Sequence, residues 1–505
     1  MGTEEAAAPD FAAFAAGYRA GRPQTLVRRL IDDLETPVSA FLKVGRDQLY
    51  ACLLESVEGG AVNARYSILT LEPDVVWRCR GLSAEVARGD AIGQGRFTPE
   101  SDPTLDSLRA LIAASRLELA ADLPPMAAGL FGVFGYDMVR LLEPLGEANP
   151  DPLDLPDAVL TRPGLVAIFD SVKREIVLVS AAYPDGGMDA EAAFQACVGR
   201  LDRFETALRR PLPALAEAVP QDAPDFVTAV SQAGFADMVA AAKDYIGAGD
   251  IFQVVLSHRF AAPYDGDPFA VYRALRRQNP SPYLFFLNFD GFQLAGSSPE
   301  ILVRLKDGRV TIRPLAGTRP RGETPEHDLA LEAELLADPK ELAEHLMLLD
   351  LGRNDVGRVS APGTVEVTES FKVERYSQVM HIVSDVQGQA DPRLDAVDTL
   401  LAALPAGTLS GAPKVRAMEV IDELETEKRG VGYGGGVGYI SASGEADICI
   451  VLRTLMFADG QVFVQAGAGV VADSDPKAEY AETQAKARAP MKAAADAWRY
   501  PTGNR

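Results

Sequence analysis

The 505-residue chain predicts an α+β fold, a large and mostly antiparallel β-sheet packed with helices. Three observations carry that expectation. Turn dipeptides, Asp307-Gly308, Ser443-Gly444 and Asp459-Gly460, separate short apolar runs, and such turns close hairpins between antiparallel strands. Two helical stretches open on an acceptor followed by proline, at Asp338-Pro339 and Asp475-Pro476, the signature of a capped helix start. The length allows one large domain or two, with a sizeable core.

Element by element, residues 1–24 are Ala-rich and acidic and read as a tail, frayed or forming a short helix. Residues 25–210 mix apolar runs, Val38 to Val44, Leu165 to Asp170 and Ile176 to Ala181, with helical spacing at Leu105 to Leu117 and Ala190 to Leu208. This is an N-terminal α/β or α+β lobe. Residues 211–225, with Pro211, Pro213, Pro220 and Pro224, read as a semi-rigid linker. In the second domain, 226–495, Phe235 to Gly247 has helical spacing and Ile251 to Phe260 alternates as a strand. Strands are expected at Ile301–Leu305 and Val310–Pro314, then Ile448–Phe457 and Val462–Ala466. Residues 496–505 read as a second tail.

Hydrophobic residues make up 47% and charged residues 24%, ordinary globular proportions that exclude disorder as the main state. No apolar run is long enough to span a bilayer. The formal net charge of −23 repels phosphate backbones and anionic lipid surfaces, so neither nucleic acid nor membrane is an expected partner. Cys52, Cys79, Cys197 and Cys449 form no paired motif, and the N-terminus has acids where a secretory signal carries basic residues. A reducing cytoplasm fits both.

In the helix after Pro339, Glu341, Glu344 and His345 share a stripe, while Leu342, Leu346 and Leu349 can face the core. After Pro476, Glu479, Glu482 and Lys486 do the same. Each set alone suits surface ion pairing or capping; together, carboxylates from two helices suit a hard cation such as Mg²⁺. The glycines at 432–438 and Gly467-Ala468-Gly469 lack the helix and lysine of a phosphate cradle. Close approach of backbone to a small ligand and tight strand packing both account for them. The four histidines have no zinc-hydrolase spacing, and His381 lies in a strand-like run where a satisfied core histidine is common.

Ordered motifs then carry a resemblance. They are LLES at Leu53, GDIFQVVLSHRF from Gly249, PSPYLF from Pro280, SSPEILVR from Ser297 and RPLAGTRPRG from Arg313. DPKELAEHLMLLDLGRNDVGRV from Asp338, ERYSQVMHIVS from Glu374, PAGTLSGAPKVRAME from Pro405, RGVGYGGGVGY from Arg429 and QAGAGVVADSDPKAEYAET from Gln465 follow. Together they resemble the chorismate-utilising enzymes, most closely the anthranilate synthase large-subunit family, densely from Phe235 to Arg488. The resemblance implies that chorismate and ammonia give anthranilate and pyruvate, with Mg²⁺ held by Glu344 and Glu482 and supported by Glu341 and Glu479. It implies that Gly317, Thr318, Tyr433, Arg453, Gly467, Ala468, Gly469 and Lys486 hold substrate. It further implies a catalytic set of Glu300 as general acid, His381 in the second half-reaction, and Thr408.

Gln253 stands where isochorismate and salicylate synthases carry a lysine base, and Ala316 where some aminodeoxychorismate synthases carry a lysine nucleophile. Free ammonia is therefore the expected nucleophile, drawn from a separate glutamine amidotransferase subunit in a heterotetramer of two of each. Glu55, Ser56, Pro282, Tyr283 and Leu284 resemble the family's tryptophan-feedback pocket. His258 departs from the common glutamine. An aminodeoxychorismate synthase component and a non-catalytic tryptophan-sensing scaffold are the alternatives.

Overall fold

The turn dipeptides close hairpins. Asp307 and Gly308, at φ 50° and 70°, join Ile301–Lys306 to Arg309–Ile312 with Lys306 opposite Arg309, as a two-residue turn between twisted strands requires. Asp459-Gly460 does the same between Thr454–Ala458 and Gln461–Val470. Ser443-Gly444 lies between Gly436–Ser441 and Ala446–Ile450.

The computed structural model describes residues 10–31, 34–56, 65–214, 218–376 and 379–503. The expectations for 1–9, for 215–217 of the linker, for Ser377 and Gln378 of the ERYSQVMH motif and for the last two residues lie outside them. Among the described residues the strands join into one antiparallel sheet with helices packed on it. The segment 211–225 has no regular structure among its described residues, yet the sheet crosses between the parts it connects. Ala51–Glu55 pairs with Tyr283–Phe289, and Gly129–Phe134 pairs with Gly436–Ser441. One core contains Phe41, Leu53 and Leu69 together with Phe286, Leu455 and Val464.

Three local expectations need correction and one open alternative is decided. The run Val38 to Val44 is helical, starting at Pro37 under a Thr36–Ser39 capping box and widening into a π turn over Phe41–Gly45. A short apolar run does not by itself distinguish strand from buried helix. Of the alternatives for the N-terminal tail, the short helix is the one formed: Phe11–Arg19, capped by Asp10, buries Phe14, Ala15 and Tyr18, with Phe14 5.2 Å from Phe194. The C-terminal tail is also tied down: Arg46 donates to the Thr502 carbonyl at 2.6 Å and Arg273 to that of Pro501 at 2.7 Å. The expected strand Ile448–Phe457 is two strands, Ala446–Ile450 and Thr454–Ala458, because Arg453 takes φ 49°. A side chain at positive φ does not continue an extended strand.

Candidate active site

Two acidic helices, Pro339–Val359 and Pro476–Asp496, begin where Asp338 and Asp475 accept from the first free backbone N–H groups. Along the first helix the buried stripe runs through His345, Leu348, Leu349, Gly352 and Val356. His345 is therefore buried rather than on a surface stripe, and Leu346, expected in the core, is half exposed. His345 Nε2 lies 2.6 Å from Ser384 Oγ, which lets an imidazole occupy a core position, and burial lowers its pKa to about 4.

Glu344 sits half-buried, its pKa raised by burial and then by the charges of Glu341 and Glu482. Burial, followed after an opposing bond from Ser474 by the charge of Glu482, raises that of Glu479. The four acids thus act on one another across two helices. Glu341 reaches Arg319 at 3.2 Å and Glu482 reaches Lys486 at 2.7 Å, whereas Glu344 has no ion pair among the described residues. No three acidic, histidine or cysteine side chains among the described residues stand close enough to hold a cation alone. The donors fit Mg²⁺ bound by two carboxylates with the remaining positions left to water and substrate oxygens.

Glu300 follows the strand Phe292–Ser298 and is only 7% exposed. Burial pushes its pKa up to about 8, against the opposing influence of the Leu315 backbone, Thr408, Arg453 and Lys486. It is a carboxylic acid that keeps its proton at neutral pH. Thr408, on the turn Gly407–Leu409, has a buried hydroxyl directed at Glu300, whose pKa it holds down.

His381, on the strand Val379–Gln389, lies opposite Thr318. Its Nδ1 is 2.9 Å from the Gly317 carbonyl and 3.0 Å from Thr318 Oγ1. A carbonyl only accepts, so Nδ1 carries the proton and Nε2 keeps its lone pair. Burial, the largest influence, lowers this pKa to about 4 and keeps the ring neutral. Gly317 takes φ 69° at a bulge between Ala316 and Thr318, which aims its carbonyl at the ring.

Gly467, Ala468 and Gly469 lie opposite Ser257, Leu256 and Val255. A Cβ on Gly467 would stand 2.7 Å from Tyr433 Oη and 2.8 Å from the Leu256 carbonyl, and one on Gly469 would stand 2.5 Å from Gln253 Nε2. Packing against backbone thus requires glycine at 467, whereas at 469 the added atom would meet only the flexible end of Gln253. The Gly467 carbonyl accepts from Lys486 Nζ at 3.0 Å. Arg453 is half-buried and has no ion pair among the described residues, and burial lowers its pKa.

A cavity of about 910 Å³ is lined by Ser56, Pro282, Tyr283, Leu284, Glu300 and Tyr376, so the expected inhibitor residues and the acid share one space. Glu55 is committed: Arg276 donates to both its oxygens at 2.9 Å and Tyr272 donates to one. Tyr283 Oη stands 3.1 Å from Asp447 and accepts from Arg304 at 2.9 Å.

Sequence reasoning named Tyr283 but missed its partners Asp447 and Arg304, and it missed the buried pair Arg429–Glu425, whose arginine lies over the Tyr433 ring. Arg429 donates to the Leu409 and Val255 carbonyls, and Glu425 accepts from the Ser257 backbone and hydroxyl. The i,i+4 spacing of Glu425 and Arg429 was the one available signal, and at a helix end it reads equally as a surface pair.

Comparison with known proteins agrees with this arrangement. Residues 71–492 match the model of the chorismate binding enzymes. The chain is 54% identical to anthranilate synthase component 1 of Cereibacter sphaeroides, over 96% of this chain and 97% of that one. It is 48% identical to the protein of the same name from Acinetobacter calcoaceticus, over 92% and 94%. The solved anthranilate synthase component I of Streptococcus pneumoniae superposes with a TM-score of 0.76 at 38% identity, over 92% of this chain and 98% of that one. With its acid, its histidine and its two carboxylate helices facing one sheet, the chain belongs to the chorismate-binding enzymes, among relatives that are anthranilate synthase components I.

Proposed function

We propose that this chain is the synthase subunit of an anthranilate synthase, converting chorismate and ammonia to anthranilate and pyruvate. The observation that carries the reading is a protonated, buried Glu300 and a neutral His381, both within reach of the Arg453 and Lys486 charges, with no hydrogen bond to His381 Nε2 among the described residues. Glu300 gives its proton to the departing 4-hydroxyl as ammonia adds to the ring. His381 Nε2 then receives a proton or orients the enolpyruvyl group while pyruvate leaves. Arg453, with no ion pair among the described residues, takes a substrate carboxylate through its planar fork, and Lys486 adds a point charge.

Glu344 and Glu482 would hold Mg²⁺, with Glu341 and Glu479 in support; the ion supplies Lewis-acid charge at the ring carboxylate. Gln253 and Ala316 present no lysine base or nucleophile, which favours ammonia over water or an enzyme amine as the attacking group. At neutral pH ammonia is mostly ammonium, which favours delivery by a separate glutaminase subunit, two copies of each chain forming the assembly. Tryptophan would inhibit from the part of the cavity lined by Ser56 and Pro282 to Leu284. The tyrosine and arginine there suit an amino acid's polar groups, and the surrounding strands its indole.

The deciding experiment incubates the purified chain with chorismate, Mg²⁺ and a high ammonium concentration at mildly alkaline pH, with and without tryptophan. Fluorescent anthranilate and stoichiometric pyruvate, both suppressed by tryptophan, are expected. Chorismate consumed without pyruvate would move the assignment to aminodeoxychorismate synthesis. Chorismate left intact would leave a tryptophan-sensing scaffold.

A further inference from the structure

His258 is one of three histidines the proposed chemistry leaves unused, and its bonds have a fixed direction. Both ring nitrogens are engaged: Nδ1 lies 3.0 Å from Thr228 Oγ1 and Nε2 lies 2.8 Å from Thr483 Oγ1. The Thr483 hydroxyl already donates to the Tyr480 carbonyl at 2.8 Å. With its single hydrogen spent, it can only accept from the ring, so Nε2 carries the proton and Nδ1 accepts from Thr228. A one-way chain of hydrogen bonds therefore runs from Thr228, beside the strand Gln253–Pro263, through His258 into the helix Pro476–Asp496. The ring is clamped between Phe235 at 5.2 Å, Phe260 at 4.5 Å and Tyr480 at 5.5 Å, leaving it little freedom to turn.

The anchor point decides what this tether does. Thr483 is fully buried and follows Glu482 directly, with Glu479 one turn before it and Lys486 three residues after. A helix pinned at 483 has its rotation about its own axis set, and that rotation aims the carboxylates at 479 and 482. We propose that His258 is a positioning residue that, through Thr483, sets the rotation of the second acidic helix and so the geometry with which Glu482 and Glu479 meet a divalent cation. The role rests on the proposed metal reading of those acids. It acts on cation binding and leaves proton transfer to Glu300 and His381.

The test uses the full-length protein and Mn²⁺ as a spectroscopic probe, titrated by electron paramagnetic resonance without chorismate. His258→Leu removes both bonds at similar bulk, Thr483→Val removes the hydroxyl isosterically, and His258→Gln keeps an amide N–H for Thr483. Each variant is first compared with the parent by circular dichroism and thermal melting. Loss of a group that orients a metal ligand costs about tenfold or more in affinity. Folded His258→Leu and Thr483→Val should therefore bind Mn²⁺ about tenfold more weakly, with His258→Gln close to the parent. Thr483→Val keeps the test open if His258→Leu does not fold. Parent-like Mn²⁺ binding in folded Thr483→Val, or in folded His258→Leu, would overturn the tether. Absence of Mn²⁺ binding to the parent itself would instead remove the metal reading, and this role with it.

Discussion

Glu300 and His381 are neutral for opposite reasons that have one cause. Burial penalises charge, so it raises a carboxylic acid to about 8 and lowers an imidazole to about 4. Between those values the site holds a proton donor and a free nitrogen lone pair together. If Glu300 is the general acid, Glu300→Gln keeps the shape and removes the proton, and kcat should fall by about 10²- to 10⁴-fold. In the parent, kcat/KM should decline as pH rises through about 8, and the residual activity of the variant should lack that limb. The linkage has a definite sign. The folded value lies above the ordinary 4.5, so the stability due to the neutral acid is complete below that pH and is lost as pH rises through about 8. Urea titrations should show the parent losing stability relative to Glu300→Gln over that window; parallel curves would show that Glu300 is an ordinary carboxylate.

The two acidic helices and the glycine-bearing strand impose constraints that single residues do not reveal. Glu344 stands among like charges, so Glu344→Gln should relieve repulsion while removing a cation ligand. The expected pair of results is loss of Mg²⁺-dependent turnover with a melting temperature equal to or above the parent's. Near-normal activity at limiting Mg²⁺ would refute the ligand role. On the strand Gln461–Val470, Gly467 and Gly469 look alike in sequence but meet different neighbours. A methyl at 467 presses on the Leu256 backbone carbonyl, which cannot swing away, and Gly467→Ala should cost about 1–3 kcal/mol. At 469 it meets the flexible end of Gln253, so Gly469→Ala should stay within about 0.5 kcal/mol in stability and express its effect in kcat. Urea denaturation with steady-state kinetics separates the two.

The tertiary arrangement couples what the chain order separates. Ser56 and Pro282 to Leu284 come from segments more than 200 residues apart, adjacent because Glu55 pairs with Leu284 across neighbouring strands. Their cavity continues to Glu300, so a bound amino acid would press on the strand Ile301–Lys306 that follows the acid. Ser56→Phe should fill that pocket, weaken tryptophan inhibition at least several-fold and leave turnover largely intact; unchanged sensitivity would sink the pocket assignment. The net charge of −23 opposes an anionic substrate at long range. Arg453, with no ion pair among the described residues, would oppose that locally, since a nearby cation in a poorly solvated site outweighs distant, screened acids. Among the described residues no helix is long and apolar enough to cross a membrane.

Hairpins, capped helices and the ordered motifs were legible because their signals are local: a turn dipeptide, an acceptor before proline, a run of residues in fixed order. The sequence by itself therefore determined the α+β class, the starts of both acidic helices and the family, through chemistry that acts within a few residues. Misreadings fell where distant contacts decide. A histidine took a core position in place of Leu346, with its Nε2 bonded to Ser384 of a strand packed on the helix. Arg453 broke a strand at a positive φ that no local pattern announces. Only the tertiary structure decided that Glu425–Arg429 is a buried support, that Glu55 is already bound, and that His258 ties a sheet to an acidic helix. Each of these depends on which partner fills a buried polar group's remaining bond, and that partner lies tens to hundreds of residues away.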